Sequence, residues 1–385
     1  MCCATKHRQR GFSLIEILVG VTIGVVGILV MFQTLAAWTA RASSTDSGGD
    51  AQITGALAMF NLKRDVRLAG LGFGTANPAN MGCGVTGSFN GVALAFQMAP
   101  VVIAHGANGA PDTVRVLHGN SSSVVVDQGY TSSNLDSKRV ETWRSGFYAG
   151  DLVVASSRAR DDPSPDPTAT ACVLVEITDL PAGLPQTLQH ASGNYTHFYT
   201  VLVTATRFNP IGGIAGAPAA GTLFNLGPEP RLNLWQVNAG VLSSTDILHN
   251  AAAFAVAEGV VDLQAQYGVD NNNDQRIGDD EWTENEPKDW AAPNDWTRVR
   301  AIRVALLVRS KQFERPAVTP TANTPVTPTK SNPGWKGGAF VMTNVDGTAD
   351  AFKDKDADPN NWRNYRYRVY EEEIPLRNIL WGNSP

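Results

Sequence analysis

Three sets of residues in this 385-residue chain could do chemistry by their type and spacing. The first is a lone carboxylate, Glu16, at the start of a long apolar run. A charge entering hydrocarbon costs several kcal/mol unless it is paired, so Glu16 points to an ion pair with a cation from another segment. The second set is the run Asp270-Asn271-Asn272-Asn273-Asp274-Gln275-Arg276-Ile277-Gly278-Asp279-Asp280-Glu281. Asp270, Asn272 and Asp274 put side-chain oxygens at positions 1, 3 and 5, the Arg276 carbonyl falls at position 7 and Glu281 at position 12, a spacing that wraps a hard cation such as Ca2+. Gln275 stands where a glycine normally makes the sharp turn. A solvated, Asx-rich hairpin is the competing reading, because Asn and Asp favour such turns without any metal. The third set is a pair of cysteines, Cys83 and Cys172. In an oxidising compartment they are expected to pair and, on a chain-entropy argument, to stabilise by about 4–5 kcal/mol; two separate buried thiols are the alternative.

The compartment follows from the element that carries Glu16. No charged residue occurs from Ile17 to Ala40, and these 24 residues make a helix of about 36 Å, enough to cross a hydrocarbon core of about 30 Å. Lys6, Arg8 and Arg10 precede the run, so the first residues stay cytoplasmic and everything after Ala40 is exported. Gly20, Gly24 and Gly27 offer small surfaces for close helix approach, or simply reflect the tolerance of membrane helices for glycine. The formal net charge is −5, with 43% hydrophobic and 17% charged residues, which excludes a polytopic membrane protein, a collagen-like chain and a wholly disordered acidic tail.

The run Arg10-Gly11-Phe12-Ser13-Leu14-Ile15-Glu16 resembles the class III signal of type IV pilins and type II secretion pseudopilins. The resemblance implies cleavage by a prepilin peptidase between Gly11 and Phe12 and N-methylation of Phe12. It also implies that Glu16, fifth in the mature chain, pairs with the terminal amine of a neighbouring subunit. An uncleaved signal anchor with Glu16 at the headgroups is the alternative. Loss of residues 1–11 removes Lys6, Arg8 and Arg10, so the side-chain charge of the mature chain is −5 − 3 = −8. Cys2 and Cys3 leave with that leader.

The expected organisation is a leader at 1–11, a transmembrane assembly helix at 12–40, a periplasmic amphipathic helix at 41–74 and a mainly β head at 75–385. Ser43 to Asp50, with Gly48-Gly49, interrupts the helical pattern. Beyond it, Ile53, Leu57 and Phe60 share a face while Asn61, Arg64 and Asp65 break the apolar pattern, and the helix ends in Gly70-Leu71-Gly72-Phe73-Gly74. The head alternates: Val261, Leu263, Ala265, Tyr267 and Val269 face one way along one strand, and Tyr365, Tyr367 and Val369 along another. Further strands are expected at Val92–Met98, Thr113–Leu117, Val124–Asp127, Leu152–Ala155, Val173–Ile177, Phe198–Thr204, Leu232–Val237 and Ala301–Val308. Loops are expected at 158–170 and at 314–338, the latter with five prolines from Pro316 to Pro333. The fold class is therefore α+β, a long N-terminal helix packed on an enlarged antiparallel sheet system.

Four blocks narrow the resemblance. They are Phe60-Asn61-Leu62-Lys63-Arg64-Asp65-Val66-Arg67-Leu68-Ala69-Gly70; Leu263-Gln264-Ala265-Gln266-Tyr267-Gly268-Val269-Asp270; Val299-Arg300-Ala301-Ile302-Arg303-Val304-Ala305-Leu306-Leu307-Val308-Arg309-Ser310; and Tyr365-Arg366-Tyr367-Arg368-Val369-Tyr370 with Leu376-Arg377-Asn378. With the leader, their order resembles the PilW family of type IV pilus minor pilins. That family implies work with other minor pilins, the major pilin and a tip adhesin, storage in inner-membrane lipid, and a part in starting pilus assembly. The J-type pseudopilin of type II secretion is the nearest alternative. A third reading is an adhesive module using Trp282, Trp290 and Trp296, which serve equally well as core packing around the acidic loop. No H-E-x-x-H, G-x-S-x-G or Walker loop is present, so an enzyme is not expected. Gly82-Cys83-Gly84-Val85-Thr86-Gly87 spells G-x-G-x-x-G without the βαβ context of a dinucleotide site and reads as a turn beside a disulfide. An acidic head also disfavours nucleic acid.

Overall fold

The computed structural model describes residues 13–74, 80–121, 127–158, 171–214, 217–287, 296–314, 317–319, 333–342 and 361–382. The leader, the Gly11–Phe12 junction, the strand expected at Val124–Asp127 save its last residue, Trp290, and most of both expected loops lie outside these residues. The chain divides into two units, residues 1–50 and 51–385.

The first unit is helical. Helix α1 runs over Leu14–Leu68, and Leu14–Thr39 within it is long and apolar enough to cross a membrane. Its polar side chains are satisfied locally: Thr22, Thr34 and Thr39 each donate to carbonyls three and four residues back, at 2.9–3.0 Å. A spanning helix needs this, since hydrocarbon offers hydroxyls no other partner. The expected interruption at Ser43–Asp50 does not occur, for the backbone stays helical through Gly48 and Gly49. Glycine lowers helix stability by only about 1 kcal/mol per residue relative to alanine, too little to end a helix extended from both sides.

In the second unit α1 is amphipathic, with its stripe placed differently from expectation. Ala58, Met59, Leu62, Val66 and Ala69 are buried, whereas Ile53, Leu57 and Phe60 are 71%, 52% and 60% exposed. At 3.6 residues per turn the two sets lie on opposite sides of the helix. The smaller residues face the head because its strands approach closely: a Cβ at Gly55 would overlap the Tyr370 ring. The helix stops where Gly70 takes φ +81° and its N–H turns to the Leu117 carbonyl at 3.0 Å.

Among the described residues three larger sheets build the head, with two-stranded ribbons at Asn194–Thr196/Val203–Ala205 and Gly334–Trp335/Gly338–Ala339. A four-stranded sheet orders Trp282–Thr283, Val260–Val269, Val299–Arg309 and Tyr367–Pro375, all antiparallel. A five-stranded antiparallel sheet orders Phe254–Glu258, Val241–Asp246, Arg231–Asn238, Thr113–His118 and Val101–Ala104. Their apolar faces and the buried stripe of α1 form one core that includes Ile302, Val304, Leu306, Leu263 and Ile374. An eight-stranded sheet orders Val92–Gln97, Gly84–Phe89, Ala171–Glu176, Leu152–Ser156, Gly221–Gly227, Gln128–Ser133, Ser137–Val140 and Thr187–Gln189. Its pairs are antiparallel except Gly84–Phe89 with Ala171–Glu176. The α+β class stands, with two corrections to the strands. Of the Phe198–Thr204 run only Val203 and Thr204 are strand, in the element Val203–Ala205, because the chain turns at Val201, φ +57°. The last long strand starts at Tyr367, after a 3-10 turn at Trp362–Asn364.

Candidate functional site

Glu16 sits in the first turn of α1, where the sequence supplies a capping box, Ser13-Leu14-Ile15-Glu16. The Ser13 N–H donates to the Glu16 carboxylate at 2.9 Å, and the Glu16 N–H donates to the Ser13 hydroxyl at 3.3 Å. The lone acid thus has a local structural partner, and its carboxylate also meets the positive end of the helix dipole.

Further along the helix, Asp65 is buried beside the Leu62–Val66 stripe. Its carboxylate accepts from the Trp235 indole N–H at 2.6 Å and from the Asn233 amide at 3.0 and 3.1 Å, with His118 Nε2 at 3.2 Å. Lys63 pairs with Glu372 at 2.8 Å, the Tyr370 hydroxyl donates to the Gln52 carbonyl at 2.9 Å, and the Asn378 amide donates to the Leu68 and Ala69 carbonyls at 3.0 Å. These contacts pin one side of the helix to the head and leave the Ile53, Leu57 and Phe60 side open. Sequence reasoning missed Asp65 as an anchor, although an acid between Leu62 and Val66, both on the apolar stripe, was the available signal.

The acidic loop follows the strand Val260–Val269 and closes on itself. Asp270, fully buried, uses Oδ2 to accept from Arg300 at 2.7 Å and from the Gln275 N–H at 3.1 Å, while its Oδ1 has no hydrogen-bond partner. Glu281 Oε1 accepts from the Asn271 N–H and Oε2 from the Gly278 N–H, each at 2.9 Å. Asn272 and Asp274 each cap the N–H two residues on, at 2.8 Å. Gln275 adopts φ +65°, the left-handed conformation that glycine would provide at this position, so the departure from the calcium pattern leaves the turn intact. Arg298 binds the Asp270 carbonyl at 3.1 Å and Asn271 Oδ1 at 2.6 Å. Among the described residues no cluster of three or more His, Cys, Asp or Glu side chains is arranged to hold a metal. As a donor set the loop therefore offers buried Asp270 Oδ1 directly, and its other oxygens only in exchange for existing hydrogen bonds.

A family model described as Type IV Pilus-assembly protein W matches residues 229–378, and the prokaryotic N-terminal methylation motif matches residues 6–32. Residues 229–378 are thus similar to the PilW family of type IV pilus proteins, and the N-terminus carries the pilin methylation motif. No curated protein and no solved structure matches the chain. The PilW segment contains the acidic loop, the four-stranded sheet, and Asn233 and Trp235, which hold Asp65. The methylation motif and the apolar helix Leu14–Thr39 together fit a pilin anchored in the inner membrane.

The eight-stranded sheet lies outside both matched segments. Here Cys83 and Cys172 are joined by a disulfide that staples its parallel pair of strands, where Val85 lies opposite Cys172. Gly82, at φ +89°, lies two residues before that pair, and a side chain there would overlap Trp296. The G-x-G-x-x-G run is therefore a turn leading into the strand Gly84–Phe89. Trp296 is buried in the core, and Trp282 lies under the Arg303 guanidinium, 4.0 Å from its ring centre. For these two tryptophans packing accounts for the sequence pattern.

Proposed function

We propose that this protein is a minor pilin of the PilW family that starts pilus assembly near the filament tip, with other minor pilins, the major pilin and an adhesin. The observation that carries this reading is the two-sided helix: one stripe buried in the head, the opposite stripe of Ile53, Leu57 and Phe60 apolar and exposed. An apolar stripe left open on a helix already docked elsewhere is suited to a second helix. Glu16, near the start of the spanning helix, supports pairing with a neighbour's amine, exchanging its bond to the Ser13 N–H for an ion pair. Mass spectrometry of protein from purified pili tests the processing step. A methylated Phe12 terminus is expected, and a mature pool that keeps Met1 would overturn the pilin reading. Immunogold labelling tests position, since label spaced along the shaft excludes the tip. Recovery only with a secretion complex would favour the J-type pseudopilin.

The acidic loop supports a secondary proposal, a weak calcium site using Asp270 Oδ1, Asn272, Asp274, the Arg276 carbonyl and Glu281. The unpartnered Asp270 Oδ1 and the left-handed Gln275 favour it. Calcium at about 1 mM should raise the unfolding temperature of the wild-type protein, and Asp270→Asn should abolish the rise. An unfolding temperature indifferent to calcium and EGTA refutes the site.

A further inference from the structure

A second cluster lies in the eight-stranded sheet, outside the segments matched to any family. The hairpin Gln128–Ser133/Ser137–Val140 sets Ser133 opposite Lys138. Lys138 Nζ donates to Ser133 Oγ at 2.7 Å. The lysine is only 2% exposed, its amine is 5.2 Å from the centre of the Tyr130 ring, and among the described residues no carboxylate pairs with it. Burial lowers the amine to about 8. Beside it lies His190, fully buried, with neither ring nitrogen hydrogen-bonded. Burial, and then the charge of Lys138, push that imidazole down to about 4, so it is neutral at pH 7. Ser133, whose hydroxyl also makes a long contact of 3.5 Å to the Asn134 carbonyl, lines an open surface pocket of about 680 Å³ together with Asn134, Asp136, Ser192, Ile214 and Ala217, with Lys138 set behind it.

A serine bonded to a desolvated amine that lacks a counter-charge is the arrangement in which the amine can act as a base. We propose that Ser133 and Lys138 form a nucleophile–base pair that hydrolyses a small neutral ester bound in this cavity. The neutral Lys138 amine takes the Ser133 proton as Oγ bonds to the ester carbonyl carbon. The bond from that carbon to the alkoxy oxygen then breaks, and the leaving alcohol takes the proton from the Lys138 ammonium. Water attacks acyl-Ser133, gives its proton to Lys138, and the serine recovers that proton as the carboxylic acid departs. Asp136 in the lining disfavours an anionic substrate, while Ile214 and Ala217 suit a short acyl chain.

The test uses the full chain in detergent micelles with p-nitrophenyl acetate as substrate and a fluorophosphonate as probe, followed by peptide mapping. Labelling of Ser133, its loss in Ser133→Ala, and a drop of about a hundredfold in Lys138→Met are expected. The labelling rate should rise with pH to a half-maximum near 8, following the amine. Tyr130, Asp136 and His190 are the other titratable groups around it; burial moves Tyr130 up and His190 down, away from that inflection. Label scattered over exposed serines such as Ser132 overturns the proposal, as does an unchanged rate in a folded Lys138→Met. If that variant does not fold, the wild-type profile decides, and a rate that does not change between about pH 7 and 9.5 overturns it.

Discussion

Asp65 concentrates the binding of helix to head in one carboxylate with three side-chain partners. Asp65→Ala would strand the Trp235 and Asn233 donors in the core, and the expected loss is on the order of 3–5 kcal/mol, read as a lower urea midpoint. Such an acid is hard to read from sequence, because a charge within an apolar period scores as an interruption until its partners, some 170 residues away, are known. Glu16 stands out in the sequence for the opposite reason, since it is a lone acid in an uncharged run, although its pairing role is a proposal. Its capping box, though spelled by Ser13 and Glu16, was overlooked, and it separates two roles in one side chain. Glutamine also completes a capping box, so Glu16→Gln should keep membrane insertion and the helix start while losing the charge. If the acid pairs with a neighbour's amine, pilus incorporation falls sharply in Glu16→Gln; incorporation at the wild-type level, measured by immunoblot of sheared pili, would remove the charge from the mechanism.

Among the elements, the long strands of the four-stranded sheet were read closely from their alternation and length, except that a bulge between Val260 and Asp262 turns Val261 to the opposite face from Leu263, against Ala305, Leu307 and Trp362. Much of the eight-stranded sheet was not, since strands such as Gly84–Phe89, Ser137–Val140 and Gly221–Gly227 are short or glycine-bearing, with little side-chain pattern to see. Helix α1 shows the other failure: two apolar stripes lie on opposite faces, and the bulkier one was assigned to the core. Its glycine pair gives a measurement. No neighbour lies within 4 Å of a Cβ at Gly48 or Gly49, so alanine at both should stabilise the helix by roughly 1 kcal/mol each, seen as increased helicity on heating. The disulfide predicts a change in the other direction. Cys83→Ser with Cys172→Ser should lower stability by about 4 kcal/mol, given a separation of 89 residues, with the midpoint compared under non-reducing conditions.

For the molecule as a whole, pH acts through buried groups that oppose each other. His190, lowered to about 4 by burial, binds a proton more readily unfolded than folded, so its contribution is present above about 6.5 and is lost as pH falls toward 4. Asp262 is raised to about 6, again mainly by burial, so its contribution to the folded state is present below the ordinary carboxyl value near 3.8 and is lost as pH rises toward 6. The two partly cancel between pH 4 and 6. Asp262→Asn, which keeps an oxygen for the Gln264 amide, should therefore raise stability at pH 7 by up to about 3 kcal/mol and steepen the acid limb. His190→Leu should flatten that limb, and urea midpoints across pH 4–8 would register both.

The outer part of α1 is held by the far end of the chain: Glu372, Tyr370 and Asn378 grip Lys63, Gln52 and the Leu68 and Ala69 carbonyls, and Ile374 shares their core. The first segment to be made is thus fully seated only when the last strand arrives. A chain that stopped short of residue 367 would keep the Asp65 contacts but lose the grip on Gln52, Lys63 and the helix end. The margin of its stripe that Tyr370, Ile374 and Ile379 cover would remain greasy and unsheltered, a mark of incompleteness that exposes an unfinished subunit to proteolysis.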